Sequence, residues 1–530
     1  MTAPPQQSTN VGATTLDQPP RVSDDRAFFG HPRGLAVLFT TEMWERFSFY
    51  GIRPLLILFM TAALAQGGFG FGRTEASAIV GIYASSVYLS SLPGGWIADR
   101  LLGLRRAIFW GAVLISAGHI SIGLSALAHG RAPFFIGLVL IVLGTGLLKP
   151  NISAIVGDLY PEGGARRDAG FSVFYMGINL GAFAGQIVTG LLGEKYGWHL
   201  GFGAAGVGML LGLFTYSFFA RRTLGTLGVE RSRNPDPVLD ARGLRRGTIA
   251  TSAGLAMIAI VIVLAATGVI QLDPLAIARS MTYVLVGIAV LYFAGMLALG
   301  GLSGDEKKRI AVIFILFIFA AIFWAAFEQA PTSLNLFARD FTNRTIGGWE
   351  VPALWFQSIN SAFIIIFAPI FAWVWTSLSR RGLNLSSPAK FSLGLLLTAV
   401  GFGLMLPAAN IILATGATGK VSAWWLTWSY LFQTFGELSI SPVGLSTMTK
   451  LSPRKYVGQM MGIWFLATSV GNLIAGLVGG NVDPEKLEQM PKLFMGTAGA
   501  LAIAAVVIAL LIVPIRRMMA TTGDRIAAEA

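Results

Sequence analysis

Long runs of apolar residues alternate with short polar segments along most of the 530-residue chain. The runs are about 20 residues or longer, the length at which a helix rising 1.5 Å per residue crosses a hydrocarbon core of about 30 Å. The pattern therefore predicts membrane-spanning helices. It predicts fourteen of them, at residues 34–64, 75–99, 107–128, 133–157, 169–193, 198–220, 248–270, 281–302, 310–331, 352–378, 391–411, 422–449, 457–480 and 493–515.

A basic polar segment divides these runs into groups of six, two and six. It holds seven Arg residues and little to bury, which is typical of a linker. The predicted organisation is a disordered cytoplasmic tail at 1–33, a six-helix bundle at 34–220, a cytoplasmic linker at 221–247, two extra transmembrane helices at 248–302, a second six-helix bundle at 303–516 and a cytoplasmic tail at 517–530.

This layout resembles the major facilitator fold, which is all-α and integral to the membrane. The segment GGWIADRLLGLRR at 94–106 is similar to the G-x-x-x-D-R loop of that superfamily, and it lies between the second and third runs as it does there. In such transporters the substrate site lies between the two halves, near the middle of the bilayer.

Lys and Arg are distributed unevenly between the two sides of the predicted membrane. With the N-terminus in the cytoplasm, 27 of the 39 basic residues fall in cytoplasmic segments and nine fall on the opposite side. Cytoplasmic loops of membrane proteins carry such an excess. The bias predicts that both termini are cytoplasmic, in a multi-pass plasma membrane protein, and the short loops favour a bacterial inner membrane.

Composition excludes several classes of protein. The net charge of +13 lies in short loops, which indicates orientation in the membrane rather than binding to nucleic acid. There is no Cys, so disulfides and thiolate metal sites are excluded. The 64 Gly residues are expected at close contacts between membrane helices.

Seven ionisable residues lie inside the apolar runs, where each costs about 2.5–3.5 kcal/mol at a helix centre. They should therefore pair with one another or face a wet cavity. The four in the first run fall within a stripe of about 100° on one helix face. The seven are Glu42, Glu45, Arg46, Arg53, Lys149, Glu328 and Glu437.

The tally of these charges suggests proton coupling. Four carboxylates and three cations leave one excess negative charge, so complete pairing is impossible. Burial favours the neutral form of an unpaired carboxylate, and one proton would neutralise the set. The alternative is that the charges form static ion pairs between helices.

Three of the buried charges are followed by a proline, at Pro150, Pro331 and Pro442. Because Pro bends or breaks helices, we expect kinks or breaks beside these charges.

Other motifs point to no enzyme. GFGAAG at 201–206 matches a dinucleotide-binding pattern but has no strand before it. The four His residues show no metal-ligand spacing, and no nucleophile lies beside a base. We therefore expect no catalytic residue, no metal and no cofactor other than protons.

Two longer motifs carry a more specific resemblance. TEMWERFSFY at 41–50 resembles the E-x-x-E-R-F-x-Y-Y signature of the proton-dependent oligopeptide transporters, and FYMGINLG at 174–181 resembles their F-Y-x-x-I-N-x-G signature. Bacterial members also carry two extra helices between the halves. The resemblance implies symport of di- and tripeptides with protons into the cell by alternating access. It covers essentially the whole chain after residue 33.

The resemblance also implies roles for residues at matching positions. The residues expected to couple protons are Glu42, Glu45, Arg46, Lys149 and Glu328. Those expected to bind the peptide carboxylate are Arg53 and Lys149. Asn179, Asn360 and Glu437 receive the amino terminus. The pocket wall comprises Tyr50, Tyr88, Trp324, Trp464 and Phe465, with Ser441 as an added polar group, and the gating ion pairs are Arg53–Glu328 and Lys149–Glu437.

Phe49 departs from the signature, which has Tyr there, and it removes a hydroxyl that could bond to the peptide. Other functions stay open. One is a related proton-coupled carrier of nitrate, another small anion or a peptide-like solute, although paired acids suit protons and zwitterions better. A receptor or channel fits an asymmetric charge set between two halves less well. The expected partners are peptides, protons and lipid, and the expected state is a monomer.

Overall fold

The computed structural model describes residues 24–128, 131–383, 385–453 and 456–519. In these residues the chain is almost entirely helical, and each of the fourteen predicted runs overlaps a long helix or two successive helices. Twelve helical segments are long and apolar enough to cross a membrane. Two further long helices, α1 (Arg33–Thr61) and α14 (Trp424–Leu451), pack among them and carry more polar residues.

The first half of the chain and the extra pair supply eight helices. After α1 these are α2 (Arg73–Ile97), α3 (Leu104–Ala128), α4 (Ala132–Asp158), α5 (Gly164–Lys195), α6 (Trp198–Thr223), α7 (Pro237–Ala266) and α8 (Pro274–Leu299). Short helical turns of 3-10 type at Leu64–Gln66 and of π type at Ala98–Leu102 follow α1 and α2.

The second half contains broken helices as well as continuous ones. In addition to α14, its helices are α9 (Gly304–Phe327), α10 (Asn335–Phe341), α11 (Trp355–Arg380), α12 (Ser387–Gly403), α13 (Met405–Thr415), α15 (Val457–Gly479), α16 (Gln489–Leu510) and α17 (Ile512–Met519). Two short strand pairs lie in the loops: β1 (Thr342–Asn343) is parallel to β4 (Val421–Ser422), and β2 (Thr345–Ile346) is antiparallel to β3 (Trp349–Glu350).

Glycine allows the closest helix contacts, as its abundance predicted. A side chain at Gly118 of α3 would lie 2.6 Å from the carbonyl oxygen of Gly137 on α4, and one at Gly137 would lie 2.6 Å from that of Gly118. Such approaches maximise van der Waals packing where lipid is as apolar as the helices. The same device recurs between α2 and α15, described below.

The predicted linker boundary at 247 is eleven residues too late, because α7 begins at Pro237. Asp236 caps this helix by accepting hydrogen bonds from the backbone N–H groups of Val238 (2.8 Å) and Leu239 (3.3 Å). Pro at the first helical position and Asp before it form a helix start that the sequence signals clearly. The basic composition of 237–247 masked it.

The residues before α7 also dock on the rest of the protein. The N–H of Arg105 donates to the carbonyl of Gly228 (2.9 Å), and the N–H of Ser232 donates to that of Asp99 (2.8 Å). These bonds fasten the segment to the turn between α2 and α3. This part of the predicted linker is therefore held against the first bundle.

The end of the predicted N-terminal tail is likewise ordered. His31 and the Tyr160 hydroxyl are hydrogen-bonded at 2.8 Å, and Arg166 donates to the carbonyl of Asp25 at 2.9 Å. Residues 24–33 thus rest on the loop between α4 and α5, although the tail was predicted to be disordered to residue 33. The rest of that tail, 1–23, and residues 520–530 of the C-terminal tail lie outside the described residues.

The two halves of the protein meet tightly at one end, which we call the outer end: α1 ends there and α2 begins there. Asn335 donates to the Pro54 carbonyl (2.8 Å), and Arg73 pairs with Asp340. Glu194 at the end of α5 accepts hydrogen bonds from the N–H groups that precede α11 (2.9 Å each). These contacts close the outer end.

Candidate functional site

A cavity of about 140 Å³ lies between the two halves. Both halves contribute polar and aromatic side chains to it, together with the Pro54 and Pro331 rings. The first half supplies Tyr50, Arg53, Tyr88, Tyr175, Asn179 and Gln186. The second half supplies Trp324, Glu328, Gln357, Asn360, Tyr430, Gln433 and Glu437.

The charge triplet of α1 is fully buried beside this cavity. Arg46 Nε lies 3.1 Å from Glu42 Oε1, and the same nitrogen bonds to Glu45 Oε2. All three residues are at most 2% exposed. Thr145 on α4 lies 3.5 Å from Glu45. One guanidinium therefore serves two carboxylates, and the triplet holds an excess negative charge.

Arg53 joins the two halves through a buried ion pair with Glu328. Its Nη2 also donates to Asn472 Oδ1 on α15 at 2.8 Å. Glu328 caps the C-terminal end of α9, where a π-helical turn at Ala330–Leu334 interrupts the helix before α10. Pro331 lies in this turn, so the predicted break occurs here. The helices around Pro150 and Pro442 continue without interruption.

The second proposed gating pair is not formed in this conformation. No ion pair joins Lys149 and Glu437, although both lie in the described part of the chain. Lys149 Nζ lies instead 4.2 Å from the centre of the Tyr88 ring, a cation–π contact. Glu437 accepts a hydrogen bond from Asn360 at 3.2 Å. The cation and the carboxylate thus belong to opposite halves and remain apart.

The three residues predicted to receive an amino terminus all line the cavity. Asn360 donates to Glu437 and also to the Thr434 hydroxyl at 3.0 Å, which orients its amide. Asn179 on α5 donates to the carbonyl of Tyr175 at 3.1 Å. These groups offer one negative charge and two amide oxygens to a cationic ligand group.

The predicted wall residues divide into two sets. Tyr50, Tyr88 and Trp324 line the cavity. The other three do not. Phe465 stacks on Tyr88 at 6.4 Å, Trp464 packs against Gly444, and the Ser441 hydroxyl lacks a hydrogen-bond partner.

Phe49 is not among the residues that line the cavity. The Phe49 ring is 1% exposed and lies under two cations, 5.2 Å from the Arg46 guanidinium and 6.0 Å from that of Arg53. The loss of a hydrogen bond to the peptide stays a prediction. The ring instead supports the two arginines of the charged stripe.

Polar or aromatic cavity residues that the sequence analysis did not predict include Tyr175, Gln186, Tyr430 and Gln433. Each shares a helix face with a predicted residue. Gln433 precedes Glu437 by four positions, and Gln186 follows Asn179 by seven, which is two helical turns. Polar side chains at these spacings from a predicted site residue were the available signal.

Among the described residues, no group of three or more His, Asp or Glu side chains could hold a metal ion. The arrangement is suited instead to a charged organic solute and to protons. Opposite charges on two packed halves, around one enclosed cavity and closed at one end, define a multi-pass membrane transporter rather than an enzyme.

The chain belongs to the POT family, whose sequence pattern matches residues 105–492. It is 50% identical over 501 residues to the peptide transporter YePEPT of Yersinia enterocolitica, covering 94% of this chain and 97% of that relative. It is 39% identical over 461 residues to a di-/tripeptide transporter of Lactococcus lactis, covering 85% and 89% respectively.

A solved structure of a peptide transporter POT in complex with sulfate superposes on the chain with a TM-score of 0.85. The two are 38% identical, and the match covers 94% of this chain and 98% of the other. The predicted family and the predicted all-α membrane fold of the major facilitator type are therefore confirmed, and so is the assignment as a transporter.

Proposed function

We propose that this protein imports di- and tripeptides together with protons by alternating access. The observation that carries the proposal is the charge arrangement of the cavity. Arg53 lines the cavity on the side of the first half, and Lys149 lies behind this wall against the Tyr88 ring. Glu437 with its Asn360 partner lines the side of the second half. A zwitterionic peptide presents one carboxylate and one ammonium, which complement these two sides whatever its side chains are.

Each predicted residue then has a defined role. Arg53 and Lys149 bind the peptide carboxylate, and Asn179, Asn360 and Glu437 bind its amino terminus. Tyr50, Tyr88 and Trp324 form the wall, and Phe465 supports it by stacking on Tyr88, whereas Ser441 and Trp464 do not line the cavity. Arg53–Glu328 and Lys149–Glu437 are gating ion pairs, one closed and one open here.

The proton site is the triplet, with Lys149 and Glu328 completing the relay. Glu42 and Glu45 share one cation, so a proton on either acid relieves the repulsion between them. Protonation would free Arg46 from one partner. Binding of a proton to the triplet would therefore rearrange the ion pairs of α1.

The contacts at the closed outer end support a state that does not open to the outside. The excess of basic residues in the other loops supports a topology with both termini in the cytoplasm and the outer end outside. All of the relatives described above are bacterial proteins. We propose a bacterial inner membrane location, and a monomer as the functional unit because each chain contains a complete cavity.

Uptake of dialanine into proteoliposomes tests the proposal. We expect an inward proton gradient to drive accumulation above the outside concentration, and a protonophore to abolish it. Failure of the gradient to drive accumulation by folded, correctly inserted protein would contradict peptide symport. Competition with nitrate in the same assay tests the carrier of small anions, and we expect no inhibition.

A further inference from the structure

We propose that the outer end of the cavity is a carboxamide subsite that selects an uncharged polar side chain on the first residue of the peptide. The inference rests on the proposed function and specifies its substrates. Two glutamines carry it, Gln186 on α5 and Gln433 on α14.

Helix direction places both glutamines on the outer side of the ligand-binding polar residues. The helix α14 begins at the outer end, so Gln433 lies one turn outward from Glu437. The helix α5 finishes there, so Gln186 lies two turns outward from Asn179. A ligand ammonium held at Glu437 and Asn179 thus has both amides on its outer side.

Each of these amides has an oxygen with no partner. Gln186 is 6% exposed and Gln433 is 1% exposed, and the Oε1 atom of each lacks a hydrogen bond within the protein. The Gln433 amide nitrogen is already used, since it donates to the Ser429 hydroxyl at 2.9 Å, so its oxygen is the group left without a partner. Among the described cavity residues, the other buried side-chain atoms without a partner, Trp324 Nε1 and Arg53 Nε, are donors, so the unpaired acceptors are the oxygens of Gln186 and Gln433.

An unsatisfied buried polar atom is unfavourable, and a ligand group that satisfies it gains affinity. A carboxamide both donates and accepts, and it carries no charge to repel an ion. The matching ligand group is a hydroxyl or a carboxamide, as in Ser, Thr, Asn or Gln. A Leu side chain of similar size would leave both oxygens unpaired, and sites built for hydrogen bonds reject such analogues strongly.

Competition with labelled dialanine uptake measures the selectivity. We compare the half-inhibitory concentrations of Asn-Ala and Leu-Ala, which differ little in shape. We expect Asn-Ala to be favoured about tenfold, the factor that ~1.4 kcal/mol represents. In Gln186→Leu and Gln433→Leu proteins we expect the ratio to fall toward one. Because it is a ratio, it does not depend on the amount of active protein.

Gln329→Leu is the matched control, because this buried glutamine bonds to Thr497 on α16 rather than facing the cavity. Its ratio should equal that of the parent protein. Calorimetric binding of both peptides to folded protein replaces transport for any variant that is inactive. The subsite is refuted if the parent ratio is near one, if the Leu variants keep it, or if selectivity appears only between Ala-Asn and Ala-Leu. Failure to accumulate dialanine at all refutes the proposed function instead.

Discussion

Arg46 contacts two carboxylates of α1 through a single nitrogen, Nε. This nitrogen donates a hydrogen bond to Glu45 and forms an ion pair with Glu42 at 3.1 Å. Glu42 Oε2 and Arg46 Nη2 are left without hydrogen-bond partners. The sequence predicted one surplus negative charge by simple counting, but it could not locate it. Arg53 and Glu328 are 275 residues apart, and only the fold shows that they pair.

Glu45→Gln should separate proton coupling from peptide movement. The amide keeps the shape of the side chain but cannot take up a proton. We expect gradient-driven uptake of dialanine to fall at least about tenfold, while exchange of labelled for unlabelled peptide persists. The exposed Glu485→Gln serves as the control. Intact gradient-driven uptake in Glu45→Gln would remove this residue from the proton pathway.

Arg53→Lys should weaken peptide binding although the charge is retained. The guanidinium reaches both Glu328 and Asn472 from one nitrogen. An ammonium on a shorter side chain lacks this planar, forked geometry. We expect the half-saturating dialanine concentration to rise about tenfold in the uptake assay. The exposed Arg242→Lys should behave like the parent protein, and equal affinities in the two variants would contradict the assigned role.

At the scale of the helices, apolar run length predicted each element but not its interruptions or exact ends. The start of α7 was missed because its first turns are basic, and the break after α9 was expected from Pro331. Contacts between helices could not be predicted from the sequence, since they join segments that are far apart along the chain. Gly81 on α2 and Gly476 on α15 show this: a side chain at Gly81 would lie 2.8 Å from the Cα of Gly476.

Gly81→Ala should therefore oppose closure of the outer end. The new methyl group would also lie 2.8 Å from the carbonyl oxygen of Asn472, so the two helices must separate. Overpacking of this kind costs about 1–3 kcal/mol. We expect a lower thermal unfolding midpoint and slower uptake. Gly123→Ala on α3, where a side chain meets nothing within 4 Å, should show neither effect.

At the scale of the whole molecule, the sequence predicted two halves around a site but not the state in which they rest. The outer end is closed by hydrogen bonds and ion pairs between residues far apart in the chain, and no sequence pattern predicts these contacts. The polar residues Gln186 and Gln433 were missed for a related reason. Their relevance depends on which face of each helix meets the other half.

Labelling of single cysteines should establish the orientation, because the native chain contains no Cys. Ser232→Cys lies in the predicted cytoplasmic loop before α7, and Thr418→Cys lies in a predicted outer loop. In intact cells we expect a membrane-impermeant maleimide to label only Thr418→Cys. After permeabilisation both should react. Labelling of Ser232→Cys in sealed cells would reverse the assigned topology.

The helix α7 stands apart from the rest of the protein, since no residue of its most apolar stretch is buried by protein. Its only buried residue is Gly247, which packs on Trp96 and Leu101 near the cytoplasmic end. We therefore expect the spanning part to tolerate exchange of one apolar residue for another, because no protein side chains pack around it. The same independence makes it a natural position for a rigid fusion partner in imaging, because a domain attached there would leave the moving halves undisturbed.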